Sequence, residues 1–223
     1  MIVAIDGPAG AGKSSVSRQL ARRLDYQFLD TGAMYRTVAL AILRHHLTDS
    51  DADEIARLAG QLSIVFLGER VLLDGMDVTA QIRTSEVAAA VYLAADNPKV
   101  REHLVQLQRQ FAGQQNTVTE GRDQGTVAFP HAECKIYLTA TPLERARRRH
   151  AELLARGEEI SLENVLRQND ARDLRDSTRA VGRLMKADDA VEVYTDGLTT
   201  DQVVDRLQEI VESHIPKPAG ATS

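Results

Sequence analysis

The chain has 223 residues, 43% apolar and 4% aromatic with no tryptophan, and 27 basic against 32 acidic residues give it a net charge of −5. That length holds one large domain or a core with a small insert, and the apolar share excludes a disordered or collagen-like chain. The mildly acidic balance argues against a protein that coats nucleic acid, and the one cysteine, Cys134, can build neither an internal disulfide nor a cysteine-rich metal site, which fits a reducing compartment.

Residues 2–5 form an apolar run without alternation, the pattern of a strand buried on both faces, and it ends at Asp6-Gly7. Val16, Leu20, Ala21 and Leu24 then recur at helical spacing, so the chain opens as strand, loop and helix, the helix beginning at Ser15. Residues 26–29 read as a second strand and 34–47 as a helix with Val38, Ala41 and Ile42 on its apolar stripe. Residues 62–79 carry β-rich runs joined by Gly68-Glu69, the mark of a hairpin. Helical spacing returns over 86–95 and 98–111, where Pro98 suits a first turn. Residues 117–119, 135–138 and 190–194 read as strands separated by arginine-rich helices, 200–212 as a closing helix, and 216–223 as a frayed tail. No apolar run approaches the roughly 18 residues of a membrane span, so no anchor or signal peptide is expected. This alternation implies an α/β fold, a mostly parallel sheet with helices on both faces, ligands at the carboxyl ends of the strands, and the hairpin as an inserted lobe.

Gly7-Pro8-Ala9-Gly10-Ala11-Gly12-Lys13-Ser14 matches G-x-x-x-x-G-K-[ST] in full, directly after a strand and before a helix, and Ser15 follows it. Backbone N–H groups of such a loop turn inward around phosphate oxygens, and the helix N-terminus adds partial positive charge. Lys13 is expected to reach the β and γ phosphates of a nucleotide and the Ser14 hydroxyl to ligate Mg²⁺. Asp6, Asp30 and Asp123, all near strand ends, are the candidate carboxylates for that ion.

A phosphate loop names no acceptor. Leu29 to Arg36 places Thr31 at the cap of a helix and Arg36 about one turn into it, at the phosphate end of the strand-end crevice. Glu120 to Thr126 brings Arg122 and Asp123 to the same crevice. Arginine is unevenly spread: there are 22 arginines against 5 lysines, and 10 of the arginines fall between Arg145 and Arg183. Arg172, Arg175, Asp176 and Arg179 share one helical face, with Arg172 and Asp176 as an i, i+4 ion pair. Arg175 and Arg179 are like charges at the same spacing, which costs stability unless an anion sits between them. Two readings stand for Arg145, Arg147, Arg148, Arg149 and Arg156: a mobile clamp over the transferring phosphoryl group, or a solvated basic face.

These segments, together with residues 77–79, 82–87 and 179–181, resemble the bacterial cytidylate kinase family from about residue 2 to 210. The resemblance implies a P-loop nucleoside monophosphate kinase fold, with a core of residues 1–36, 112–145 and 176–213, an acceptor-binding lobe over 37–111, a short helical lid over 146–175 and a tail over 214–223. It implies transfer of the γ-phosphoryl of ATP to CMP or dCMP with Mg²⁺, by a cytoplasmic monomer that takes no nucleic acid and no membrane. By the family's pattern Lys13, Arg122 and Arg179 carry the catalysis. Arg36, Arg122 and Arg179 hold the acceptor phosphate with Thr31 beside it, Arg172 and Asp176 meet the ribose, and Arg101 and Asp123 meet the cytosine edge. Arginine donates to the carbonyl and ring nitrogen of cytosine and a carboxylate accepts from its amine, a contact uracil does not return. The chain departs from the pattern at Tyr92, where the family has serine; this ring either stacks on the base or belongs to the core. The alternatives are a kinase for UMP, AMP or another small acceptor, and a nucleotide-switch module of GTPase type, for which the chain lacks an N-K-x-D segment.

Overall fold

The computed structural model describes residues 1–215, so the expected tail over 216–223 lies outside the described residues. The chain runs β1 (Ile2–Asp6), α1 (Lys13–Leu24), β2 (Gln27–Asp30), α2 (Thr31–Arg44), α3 (Ala52–Ala59), β3 (Ile64–Leu67), β4 (Arg70–Leu73) and β5 (Met76–Asp77). It continues through α4 (Ser85–Ala95), α5 (Pro98–Ala112), β6 (Thr117–Gly121), β7 (Cys134–Thr139), α6 (Pro142–Ala155), α7 (Leu162–Thr178), β8 (Val191–Tyr194) and α8 (Thr200–His214). Two compact units result, one of residues 1–29, 114–178 and 183 onward, the other of residues 30–113 and 179–182.

The first unit is built on a five-stranded sheet of order β2-β6-β1-β7-β8, with β1 parallel to both β6 and β7 and β7 parallel to β8. β1 lies in the middle, which is why its apolar run does not alternate. Val3, Ile5, Val118, Ile136 and Leu138 pack with Val16 and Leu20 of α1 and with Val203, Val204, Leu207 and Val211 of α8. Each such side chain contributes about 1.5–3 kcal/mol when fully buried. Cys134 is wholly buried in that core, and burial pushes its thiol up to about 12.

The second unit packs α2 to α5 with a three-stranded antiparallel sheet, β3-β4-β5. The expected hairpin is there, and Asp74-Gly75, both at positive φ, add the short third strand. Five expectations change. Helix α1 begins at Lys13 rather than Ser15, and α2 runs from Thr31 to Arg44 rather than from 34 to 47. Asp30, not Thr31, caps α2, its Oδ1 accepting the Ala33 N–H at 2.8 Å. Helix α3 was not expected, because only Ile55 and Ala59 of its eight residues are buried and so leave little apolar stripe to read. Finally, α7 stops at Thr178, one residue short of Arg179. Ser177 and Thr178 hydroxyls donate to the Leu174 carbonyl, and the Asp176 carbonyl takes the Leu184 N–H, which ends the helical ladder. Arg175 and Arg179 therefore do not repel along one helix.

Candidate active site

Where β1 ends, residues 7–12 turn back over the sheet and α1 begins at Lys13. The Lys13 ammonium is buried and donates to the Gly7 and Pro8 carbonyls, each at 2.8 Å. Burial, and then the neighbouring Arg122 cation, lower its pKa well below the usual amine range. The Ser14 hydroxyl donates to Glu120 Oε1 at 2.6 Å. Glu120 reaches this place because β6 pairs with β1 in a register that sets it opposite Ile5.

Of the three carboxylates nominated from the sequence for the metal, Asp6 and Asp30 have other work. Asp6 accepts the Gln124 and Gly125 N–H groups at 2.8 and 2.7 Å, which pins a single π-turn (Gln124–Ala128) to the end of β1. Burial pushes the Asp6 carboxyl up to about 7. Asp30 caps α2, and Asp123 is buried at the start of the π-turn. Glu120 is the carboxylate beside Ser14, and sequence reasoning missed it because strand adjacency is not written in sequence order. No group of three or more His, Cys, Asp or Glu suited to a metal ion occurs among the described residues. A hydroxyl with one carboxylate, completed by phosphate oxygens, is nevertheless the kind of donor set that Mg²⁺ takes in kinases.

The raised Asp6 pKa gives a pH prediction. Between the unfolded value of 3.8 and about 7, the folded chain holds a proton that the unfolded chain does not. Stability from this group therefore increases as pH falls through 7. Relative to Asp6→Asn, the wild type is expected to be about 1–3 kcal/mol more stable at pH 5 than at pH 8. Urea denaturation of both proteins at the two pH values measures it, and an unchanged difference contradicts it.

Arg122 donates from Nε to Asp176 Oδ2 at 2.9 Å and from Nη1 to the Gly121 carbonyl at 3.3 Å. Arg172, the expected partner of Asp176, stands farther off at 4.0 Å, so the interaction across elements outranks the local one. Of the arginines expected as a clamp or a solvated face, Arg147 and Arg156 are exposed, whereas Arg145, Arg148 and Arg149 are held by other residues. Arg145 is buried and donates to the carbonyls of Ala9 and Ala140 and to Asp173, whose other oxygen accepts the Ala9 N–H. It braces the phosphate loop against α7. Arg148 holds Thr195 through its hydroxyl and carbonyl at 2.8 and 2.7 Å, and Arg149 pairs with Glu152.

In the second unit Thr31 is buried in the first turn of α2. Arg36 Nη2 lies 3.4 Å from Asp30, and its buried Nε has no hydrogen-bond partner among the described residues. Arg101, 4% exposed, donates to the Ala95 carbonyl at 3.0 Å and lies over the Tyr35 ring at 5.3 Å. Gly182, at φ +65°, allows this: a Cβ there would stand 2.0 Å from Arg101 Nη2. Arg179 donates to Asp96 at 2.6 Å and to the Gly182 carbonyl at 3.3 Å. Tyr92 is 37% exposed on α4, whose buried positions are Val87, Ala90, Ala94 and Ala95, so it is not a core residue. The expected site residues are thus shared between the units: Gly7 to Ser15, Arg122, Asp123, Arg172 and Asp176 in the first, and Thr31, Arg36, Tyr92, Arg101 and Arg179 in the second.

The family model described as cytidylate kinase matches residues 3–213. The chain belongs to the cytidylate kinase family. A cytidylate kinase of Rhodopirellula baltica is 43% identical over 219 residues, covering 98% of this chain and 96% of that protein. One of Carboxydothermus hydrogenoformans is 48% identical over 215 residues, covering 95% and 97%. Among solved structures, an uncharacterized protein of Eubacterium ventriosum superposes with a TM-score of 0.52 at 12% identity, over 96% of this chain and 99% of that one, a likeness of fold. Membership in the cytidylate kinase family makes the chain a phosphotransferase of P-loop architecture, and no helix among the described residues is long and apolar enough to cross a membrane.

Proposed function

We infer that the protein transfers the γ-phosphoryl group of ATP to CMP or dCMP, giving ADP and CDP or dCDP. The observation that carries this reading is the match of residues 3–213 to the cytidylate kinase family, with an intact phosphate loop whose Ser14 faces Glu120. In this reading residues 7–15 hold the ATP phosphates, and Lys13 exchanges the carbonyls of its own loop for phosphate oxygens. Arg36, Arg122 and Arg179 take the acceptor phosphate with Thr31 beside it. Arg172 and Asp176 meet the ribose, Arg101 and Asp123 read the cytosine edge, and the exposed Tyr92 supplies a stacking face. Residues 37–111 act as the acceptor lobe and 146–175 as the lid, in a cytoplasmic monomer.

Ser14, with Glu120 behind it, would hold Mg²⁺, which when bound neutralises phosphate charge. The chain's own part is alignment and charge. The acceptor phosphate attacks in line, so no side-chain nucleophile and no covalent intermediate are needed. Arg36 suits its role, because a buried donor without a partner is costly until an anion arrives.

Release of ADP measured with CMP, dCMP, UMP, AMP and shikimate as acceptors tests this. CMP and dCMP are expected to have the highest kcat/KM, ahead of UMP by at least about 10²-fold, the discrimination that a site built on donor and acceptor groups achieves. A better rate with UMP or AMP overturns the acceptor assignment and leaves the kinase class. Phosphate release from GTP with no acceptor would instead favour a switch module.

A further inference from the structure

Each arginine assigned above to the acceptor phosphate lies beside a carboxylate: Arg36 by Asp30 at 3.4 Å, Arg122 by Asp176 at 2.9 Å and Arg179 by Asp96 at 2.6 Å. Two of those carboxylates have a second duty. Asp30 caps α2, and Asp176 also faces Arg172. Asp96 is different. Its backbone N–H closes α4 on the Tyr92 carbonyl, but its carboxylate bonds, among the described residues, to Arg179.

The pair is lopsided. The Arg179 side chain is 6% exposed, whereas that of Asp96 is 36% exposed. A cation so buried needs a counter-charge, and Asp96 supplies it with a short charge-assisted bond. The other named hold on Arg179, its donation to the Gly182 carbonyl, is long at 3.3 Å. An incoming phosphate dianion brings its own charge to this guanidinium and meets a carboxylate already there. Two anions at one arginine repel, so the phosphate must displace Asp96 or bind against its field.

We propose that Asp96 is the resident counter-ion of Arg179 and competes with the acceptor's phosphate for it, so that Asp96 sets the acceptor affinity of this chain. The inference rests on Arg179 being an acceptor-phosphate ligand. A neutral side chain of the same shape at position 96 removes the competitor and leaves the arginine in place.

Asp96→Asn is therefore expected to lower the CMP dissociation constant, read by calorimetry, roughly 1.5- to 5-fold, the span for breaking a partly exposed ion pair. The KM for CMP falls with it, while the KM for ATP moves less than about twofold. Inorganic phosphate becomes a stronger inhibitor competitive with CMP. Asp96→Ala, with a thermal melt beside each variant, guards against a folding defect and is expected to reproduce the tighter binding. Unchanged or weaker CMP binding in the two folded variants overturns the proposal, weaker binding meaning that Asp96 orients Arg179 instead. Arg179→Ala separates the two levels. If it leaves CMP binding unchanged, the assignment of Arg179 fails and the proposal with it. If it weakens CMP binding while Asp96→Asn does not tighten it, the counter-ion role alone fails. In the double variant the effect of Asp96→Asn is expected to vanish.

Discussion

Lys13→Ala is expected to lower kcat by at least about 10²-fold, the magnitude for removing a preorganised donor to developing charge, while the chain still folds. The two effects separate because of what surrounds the ammonium. It is buried and donates to the Gly7 and Pro8 carbonyls at 2.8 Å, so truncation leaves two acceptors short of about 1 kcal/mol each. Against that, the lowered Lys13 pKa means that folding already bears a burial cost for this cation, and alanine removes it. The opposing contributions are similar, and the net change is expected within about 2 kcal/mol. Steady-state ADP release and a thermal melt measure both. The melt carries a second reading: ATP is expected to raise the melting temperature of the wild type by binding the folded state, and the variant to lose most of that rise. Near-normal turnover would remove Lys13 from the mechanism.

Gly7→Ala is expected to be the more damaging change for the fold. Gly7 has φ +151°, and a Cβ built on it stands 1.9 Å from the Leu138 carbonyl oxygen and 3.0 Å from its carbon. That neighbour is backbone, one residue from the end of β7, which is itself paired to β1 through Asp6 and Tyr137. No rotamer change relieves the overlap; either the loop or the sheet must move. Overpacking of this kind at a strained backbone costs about 3 kcal/mol or more, which for a chain of this size corresponds to about 6–12 °C in melting temperature. Activity is expected to fall as well, because the loop that carries Lys13 and Ser14 starts at this residue. A melting temperature within about 2 °C of the wild type would contradict the tight packing of Gly7 on β7.

What the sequence disclosed and what it concealed divide along one physical line. The phosphate loop was legible because its eight residues are contiguous and lie between a strand and a helix whose patterns differ in period. The parallel sheet was legible because its central strand is apolar on both faces. Glu120 was not, since its partner Ser14 is 106 residues away and only the register of β1 against β6 joins them. Arg145 offered two local readings, a clamp and a solvated face, and took neither, because its partners Ala9 and Asp173 are 136 and 28 residues off. Helical projection carried Arg179 past the point where Ser177 and Thr178 turn their hydroxyls onto Leu174, so the end of α7 came too late. In each case a competing contact, absent from the local pattern, decided the outcome.

The burial of Cys134 has a practical consequence. The chain's one thiol is wholly enclosed and its pKa is pushed up to about 12, so near neutral pH it offers almost no thiolate to an alkylating or oxidising reagent. The native chain therefore already serves as a cysteine-silent background. A pair of surface cysteines, one introduced in each unit, can carry fluorophores without first deleting a native residue, and the distance between the units can then be followed as ATP and CMP are added.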